Sequence, residues 1–71
     1  MTDRPAITEL LLSTGERVEV EGQLDQVEQQ LVSAARGAMM ELARFVAATS
    51  GAAVAINPAH VVALREAGVS P

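Results

Sequence analysis

The chain contains no cysteine, no lysine, no tryptophan and no tyrosine, and each absence narrows what it can be. Without cysteine there is neither a disulfide nor a thiolate metal site, and nothing points to an oxidising compartment. Without lysine, the positive charge rests on Arg4, Arg17, Arg36, Arg44 and Arg65, scattered among nine acidic residues for a net charge of −4. Nucleic-acid binders carry a basic footprint because phosphate neutralisation supplies most of their affinity, so this balance argues against a nucleic-acid partner. The longest apolar stretches fall far short of the ~20 residues of a membrane span. Met1-Thr2-Asp3-Arg4-Pro5 lacks the apolar centre of a signal peptide. The reading is a soluble, cytoplasmic protein with no membrane partner. An all-arginine basic set beside abundant alanine and valine also fits the coding bias of a high-GC bacterial genome.

What is present is 71 residues, 49% of them hydrophobic, with Phe45 the only aromatic. A chain of this size forms one domain at most and buries only roughly 60% of its unfolded surface, so its core is thin. Small domains usually gain stability from a disulfide, a metal or a partner subunit. Here the partner is what remains.

Two turn signals frame a helical stripe. Residues 1–5 read as a flexible arm. Ala6 to Ser13 and Glu16 to Glu21 read as strands joined by Ser13-Thr14-Gly15. A two-residue turn sets Leu10 and Leu12 beside Arg17 and Glu19. A three-residue loop with Gly15 left-handed instead pairs Leu12 with Glu16, Leu10 with Val18 and Thr8 with Val20, gathering the aliphatics on one face. Ile7 and Leu11 then lie on the other face. From Gln23 to Gly37 the period becomes helical: Leu24, Val27, Leu31, Ala34, Ala35 and Ala38 form one stripe. Asp25 and Glu28 near the start and Arg36 near the end suit the helix dipole, and Gly37 marks the stop.

Ala38 to Ala48 admits two readings. Met39, Leu42, Phe45 and Val46 prolong the helical stripe, which allows one helix of about 25 residues. Against this, Gly37 costs about 1 kcal/mol inside a helix, and Ala52 to Ile56, beyond Thr49-Ser50-Gly51, needs a strand partner. Strand is the reading adopted. Asn57-Pro58 is a corner or bulge before a strand over Val61 to Arg65; Asn57 as N-cap with Pro58 at the first helical position is the competing signal for a short helix. The fold expected is α+β, a small antiparallel β-sheet with one helix on one face, in the order β-β-α-β-β-β. It forms a single domain over residues 6–67, with residues 68–71 as tail. Leu24, Val27, Leu31 and Ala35 are expected to meet Leu10, Leu12, Val18 and Val20.

Chemistry-bearing motifs are sparse. Gly15, Gly22, Gly37, Gly51 and Gly68 are isolated, in neither dinucleotide nor phosphate-loop spacing, and no serine sits in a G-x-S-x-G elbow. His60 is the only histidine, and Glu41 and Glu66 are its nearest carboxylates in sequence; a base needs a nucleophile and an orienting acid in reach. Glu9, Glu19 and Glu21 share a hairpin face but lack the further oxygen ligands of a hard-cation site; acidic residues there solvate the strand and discourage edge pairing. No catalytic, cofactor-binding or metal-binding residue is assigned. The alternative keeps a small-ligand, metal or enzymatic site on His60 and nearby carboxylates.

The segment Val54-Ala55-Ile56-Asn57-Pro58-Ala59-His60-Val61-Val62-Ala63-Leu64 resembles a family of small uncharacterised proteins of high-GC Gram-positive bacteria. These have a hairpin, an acidic helix start and a glycine-bearing second hairpin. It also resembles, more distantly, the small flagellar-regulator domains of the FlbD type, which share the Asn-Pro corner. The resemblance implies strand over Met40 to Val46 and over Val61 to Arg65, and a regulatory or accessory role; neither family supplies a catalytic residue.

One helix covers only one sheet face, and neighbouring strand residues alternate. Ile7, Leu11, Met40, Leu42, Val46, Val61 and Val62 are therefore the candidate interface, and a homodimer through the sheet is expected; the alternatives are a monomer whose second face is dressed by Glu9, Arg17, Glu19 and Arg44, and a further protein partner on that face.

Overall fold

The computed structural model of the chain describes residues 6–37 and 42–69. It is an α+β domain of five strands and one helix in the expected order: β1 (Ala6–Leu12), β2 (Arg17–Glu21), α1 (Leu24–Ala35), β3 (Ala43–Val46), β4 (Ala53–Ile56) and β5 (Val61–Val69). The arm at residues 1–5 and the expectation of strand at Ala38 to Glu41 fall outside the described residues, as do Ser70 and Pro71.

The first hairpin adopts the register that its alternation requires. Thr8 lies opposite Val20 and Leu10 opposite Val18. Leu12 donates its N–H to the Glu16 carbonyl at 2.9 Å, and Gly15 donates to the Leu12 carbonyl at 2.9 Å. The loop is thus Ser13-Thr14-Gly15, with Gly15 at φ +91°, the backbone region where a side chain is strained. The second hairpin closes one residue more widely than its Thr49-Ser50-Gly51 signal suggests. Ala47 donates to the Ala52 carbonyl and Gly51 to the Ala47 carbonyl, both at 2.8 Å, so that four residues, Ala48 to Gly51, make the loop. In each turn a hydroxyl accepts from the N–H two residues on: Thr14 from Glu16 at 3.3 Å and Ser50 from Ala52 at 3.2 Å.

Gly22 converts strand into helix. Its φ of +132° is glycine territory, its N–H donates to the Ala6 carbonyl at 2.8 Å, and its carbonyl accepts the Thr8 hydroxyl at 2.9 Å. Thr8 is fully buried, so this bond provides the partner that a buried hydroxyl needs. At the start of α1, Gln26 Oε1 accepts the Gln23 N–H at 3.3 Å, satisfying one of the donors a helix start leaves free.

The strands make two antiparallel sheets where one was expected: β2-β1-β5 and β3-β4. They touch through a single bridge, Val20 to Ala47, and the Ala48 N–H donates to the Glu19 carbonyl at 2.8 Å. α1 packs against β1, β3 and β5 alike, so one helix serves both sheets. The core consists of Leu10, Val20, Val27, Leu31, Ala34, Ala43, Phe45 and Ile56, with Leu12, Val18, Val54, Val61 and Leu64 packed at its border. Three corrections follow. The second hairpin contributes Ala43, Phe45 and Ile56 beyond the partners expected for the helix. Ala34 turns inward and Ala35 is exposed: at about 100° per residue, Ala34 lies about 20° around the helix from the deeply buried Val27 and Ala35 about 80°. Gly68 and Val69 belong to β5 and not to a tail, since Ile7 pairs with Gly68 and Ala6 with Val69.

Both signals at Asn57-Pro58 are used. Pro58–His60 is one 3-10 turn, in which the Asn57 side-chain oxygen accepts the Ala59 N–H at 2.9 Å. β5 starts at the next residue.

Candidate functional site

β5 returns to β1 immediately after the 3-10 turn, so the turn holds the two ends of the fold together. His60 does this with its backbone: its carbonyl accepts the Ser13 N–H at 2.7 Å, and its own N–H donates to the Asn57 carbonyl at 3.0 Å. The residue is exposed, as is Glu66 on β5, and Glu41 lies outside the described residues. The first-hairpin carboxylates share one face of the hairpin, as the alternation places them. Glu9 lies directly opposite Glu19 on β2 and opposite Arg65 on β5. It takes the Arg65 guanidinium at 2.6 Å, with the Glu9 side chain 16% exposed and that of Arg65 68%. Glu21 faces Ile7 instead. Among the described residues, no group of three or more histidine, aspartate or glutamate side chains is disposed to hold a metal ion.

The candidate interface residues fall on three elements. Ile7 and Leu11 are half-buried on the outer face of β1, with Glu9 between them. Leu42 and Val46 are exposed, Val46 on β3 and Leu42 just before it, while Ala43 and Phe45 turn inward. Val62 is the most exposed large aliphatic. Val61 departs from the outward-facing expectation: it is half-buried against the core. The ladder shifts between Leu11 and Leu12, pairing Leu11 with Ala63 and Leu12 with Val61. The extra residue, Val62, is a β-bulge, which breaks simple alternation. Met40 lies outside the described residues.

Val62 has a neighbour that sequence reading missed. Val32, exposed on α1, lines with it a shallow groove of about 310 Å³, together with Leu31, Ala35, Pro58 and Leu64; Glu28 is the only charged residue on its wall. The helical period placed Val32 off the main stripe, and only the return of β5 past α1 gives it company. No helix among the described residues is long and apolar enough to cross a membrane.

No protein-family model matches this chain, and comparison with curated proteins and with solved structures yields no match.

Proposed function

We propose that this protein is a non-catalytic contact module of the cytoplasm, an accessory or regulatory subunit that works by self-association, as a homodimer, and through one further protein partner. The observation that carries the reading is the set of large aliphatics left in water: Val32 at 42%, Leu42 at 52%, Val46 at 40% and Val62 at 65% exposure. A chain with eight buried hydrophobic residues among those described gains proportionally more from covering such residues than a large domain does. Exposed aliphatic clusters in small proteins mark contact surfaces, and two-fold pairing is the commonest way of closing them.

Light scattering over a range of micromolar concentrations tests the proposal. The expected mass is twice 7.4 kDa, and a single-chain mass at every concentration overturns self-association. His60→Ala is expected to leave fold, mass and cellular role unchanged; loss of the role with the fold intact would return the histidine to a site. Titration with short duplex and single-stranded probes is expected to give no salt-sensitive shift, as the acidic balance requires.

A further inference from the structure

The three-stranded sheet has two outer edges, and they are not equivalent. The far edge of β2 is engaged by the second hairpin at Ala47 and Ala48. The far edge of β5 has no strand beside it among the described residues, so alternate residues of β5 direct backbone N–H and C=O groups outward. No proline or lysine blunts this edge; its only charges are Arg65 and Glu66. Beside it lies the apolar groove of Val32, Val62 and Leu64. A free strand edge next to an apolar groove receives an extended strand: main-chain bonds hold it, and its aliphatic side chains enter the groove.

We propose that the strand received is β5 of a second copy of this chain, joined antiparallel about a two-fold axis at Ala63. This rests on the self-association reading above and gives it a location. Charge selects the register. An axis at Arg65 or at Glu66 sets like charges directly opposite each other, which destabilises a strand pair. An axis at Leu64 sets Glu66 against Val62. An axis at Ala63 sets Val62 of each copy against Leu64 of the other and moves the charges outward, Arg65 opposite Val61 and Glu66 opposite His60 at the start of the strand. Both residues line the groove, so the pairing covers Val62, the most exposed aliphatic, and brings apolar side chains over Val32. The outer sheet face is the poorer contact. Glu9 and Arg65 form their ion pair there, opposite a second carboxylate, Glu19, and burying that pair costs desolvation that its attraction does not reliably offset. The bulge at Val62 and the second ladder shift, between Ile7 and Thr8, confine regular pairing to the middle of β5. The dimer is therefore short, and its mass depends on concentration.

The test uses the full chain with three substitutions. Val62→Asp is expected to give a single-chain mass with an unchanged far-UV circular dichroism spectrum, since the residue lies outside the core. Leu11→Glu, on the outer face, is expected to remain dimeric. Ala63→Cys places one thiol beside its symmetry mate in a chain that has no other cysteine. Oxidised glutathione is then expected to trap a covalent dimer, a readout that does not depend on Val62→Asp folding. A wild-type chain that is monomeric throughout overturns both this proposal and the self-association reading. A wild-type dimer that resists Val62→Asp and disperses with Leu11→Glu overturns the β5 pairing alone, as does failure of Ala63→Cys to cross-link in a dimeric sample. A wild-type mass above that of a dimer also overturns it, since a two-fold edge contact closes at two copies.

Discussion

Phe45→Ala tests the packing most directly, because Phe45 is the only aromatic in the chain and sits on β3 at 6% exposure, in the core with Leu10, Val27 and Ile56. Truncating a buried phenylalanine costs about 3–5 kcal/mol, the lost transfer energy plus the cavity left behind. At 0.05–0.15 kcal/mol per residue, a chain of this length holds roughly 4–11 kcal/mol in all. The substitution therefore removes between a third and the whole of the folding free energy. Urea unfolding followed by far-UV circular dichroism is the assay, as there is no tryptophan or tyrosine to report by fluorescence. With a urea slope of about 1 kcal/mol per molar for a small domain, the midpoint falls by about 3 M or the chain is unfolded from the start. Val46→Ala, the exposed neighbour on β3, is the control and is expected to cost under about 1 kcal/mol. Both are compared at one protein concentration, because any self-association would make stability depend on it. Equal losses for the two, or a loss under about 1 kcal/mol for Phe45→Ala, would refute the inward placement of Phe45 and with it the strand parity of β3.

Three further outcomes are expected from the same assay. Thr8→Val keeps the shape of a fully buried side chain but removes the hydroxyl that donates to the Gly22 carbonyl at 2.9 Å; it is expected to lower stability by about 1 kcal/mol, and an unchanged midpoint would show the bond to be dispensable. Gly22→Ala combines a φ of +132° with a methyl carbon 3.3 Å from Val27 Cγ2 and is expected to cost about 1–3 kcal/mol. Gly15→Ala, where an added carbon meets nothing within 4 Å, is expected to cost less, and the reverse order would contradict the packing at the head of α1. Glu19→Lys replaces a like charge directly opposite Glu9 by an opposite one and is expected to stabilise by roughly 0.2–1 kcal/mol, less at high salt; destabilisation would mean that Glu19 has a role other than solvation.

Where the sequence was legible, two local signals agreed. In the first hairpin the alternation of Leu10, Leu12, Val18 and Val20 and the glycine at position 15 demand the same register, and the chain adopts it. Around β3 they did not agree. Leu42, Phe45 and Val46 satisfy both a helical and an extended pattern, and their parity is invisible because both faces offer large aliphatic or aromatic residues; only the pairing of Ala43 with Ile56 and Phe45 with Val54 decides it. At Ala34 and Ala35, two identical small residues give the helical period nothing to choose between. At Gly68 a residue that breaks strands locally is held in one by its partner on β1, a case of tertiary pairing overriding propensity. The division into two sheets is a matter of long-range pairing, with the isolated Val20 to Ala47 bridge standing where a continuous ladder was expected, which no window of sequence contains.

The candidate surface was legible to the extent that alternation holds, and it failed where alternation fails. On β1 the pattern places Ile7 and Leu11 away from the core, and it does so correctly because that stretch of the strand is regular. On β5 it treats Val61 and Val62 as ordinary neighbours on opposite faces, whereas the bulge sends Val61 to the core and leaves Val62 at the rim beside Val32. A bulge is set by the partner strand, here by Leu11 and Leu12, fifty residues upstream, so it leaves no mark in the local pattern. The pairing of Glu9 with Arg65, 56 residues apart, is hidden in the same way; it adds an ion pair to a face on which alternation already placed Glu9 and Glu19 with Ile7 and Leu11. Together these two non-local features are why the contact proposed above lies at the β5 edge and not on the face of the sheet: among the described residues that edge has no strand beside it, and Val62 and Leu64 line the apolar groove next to it.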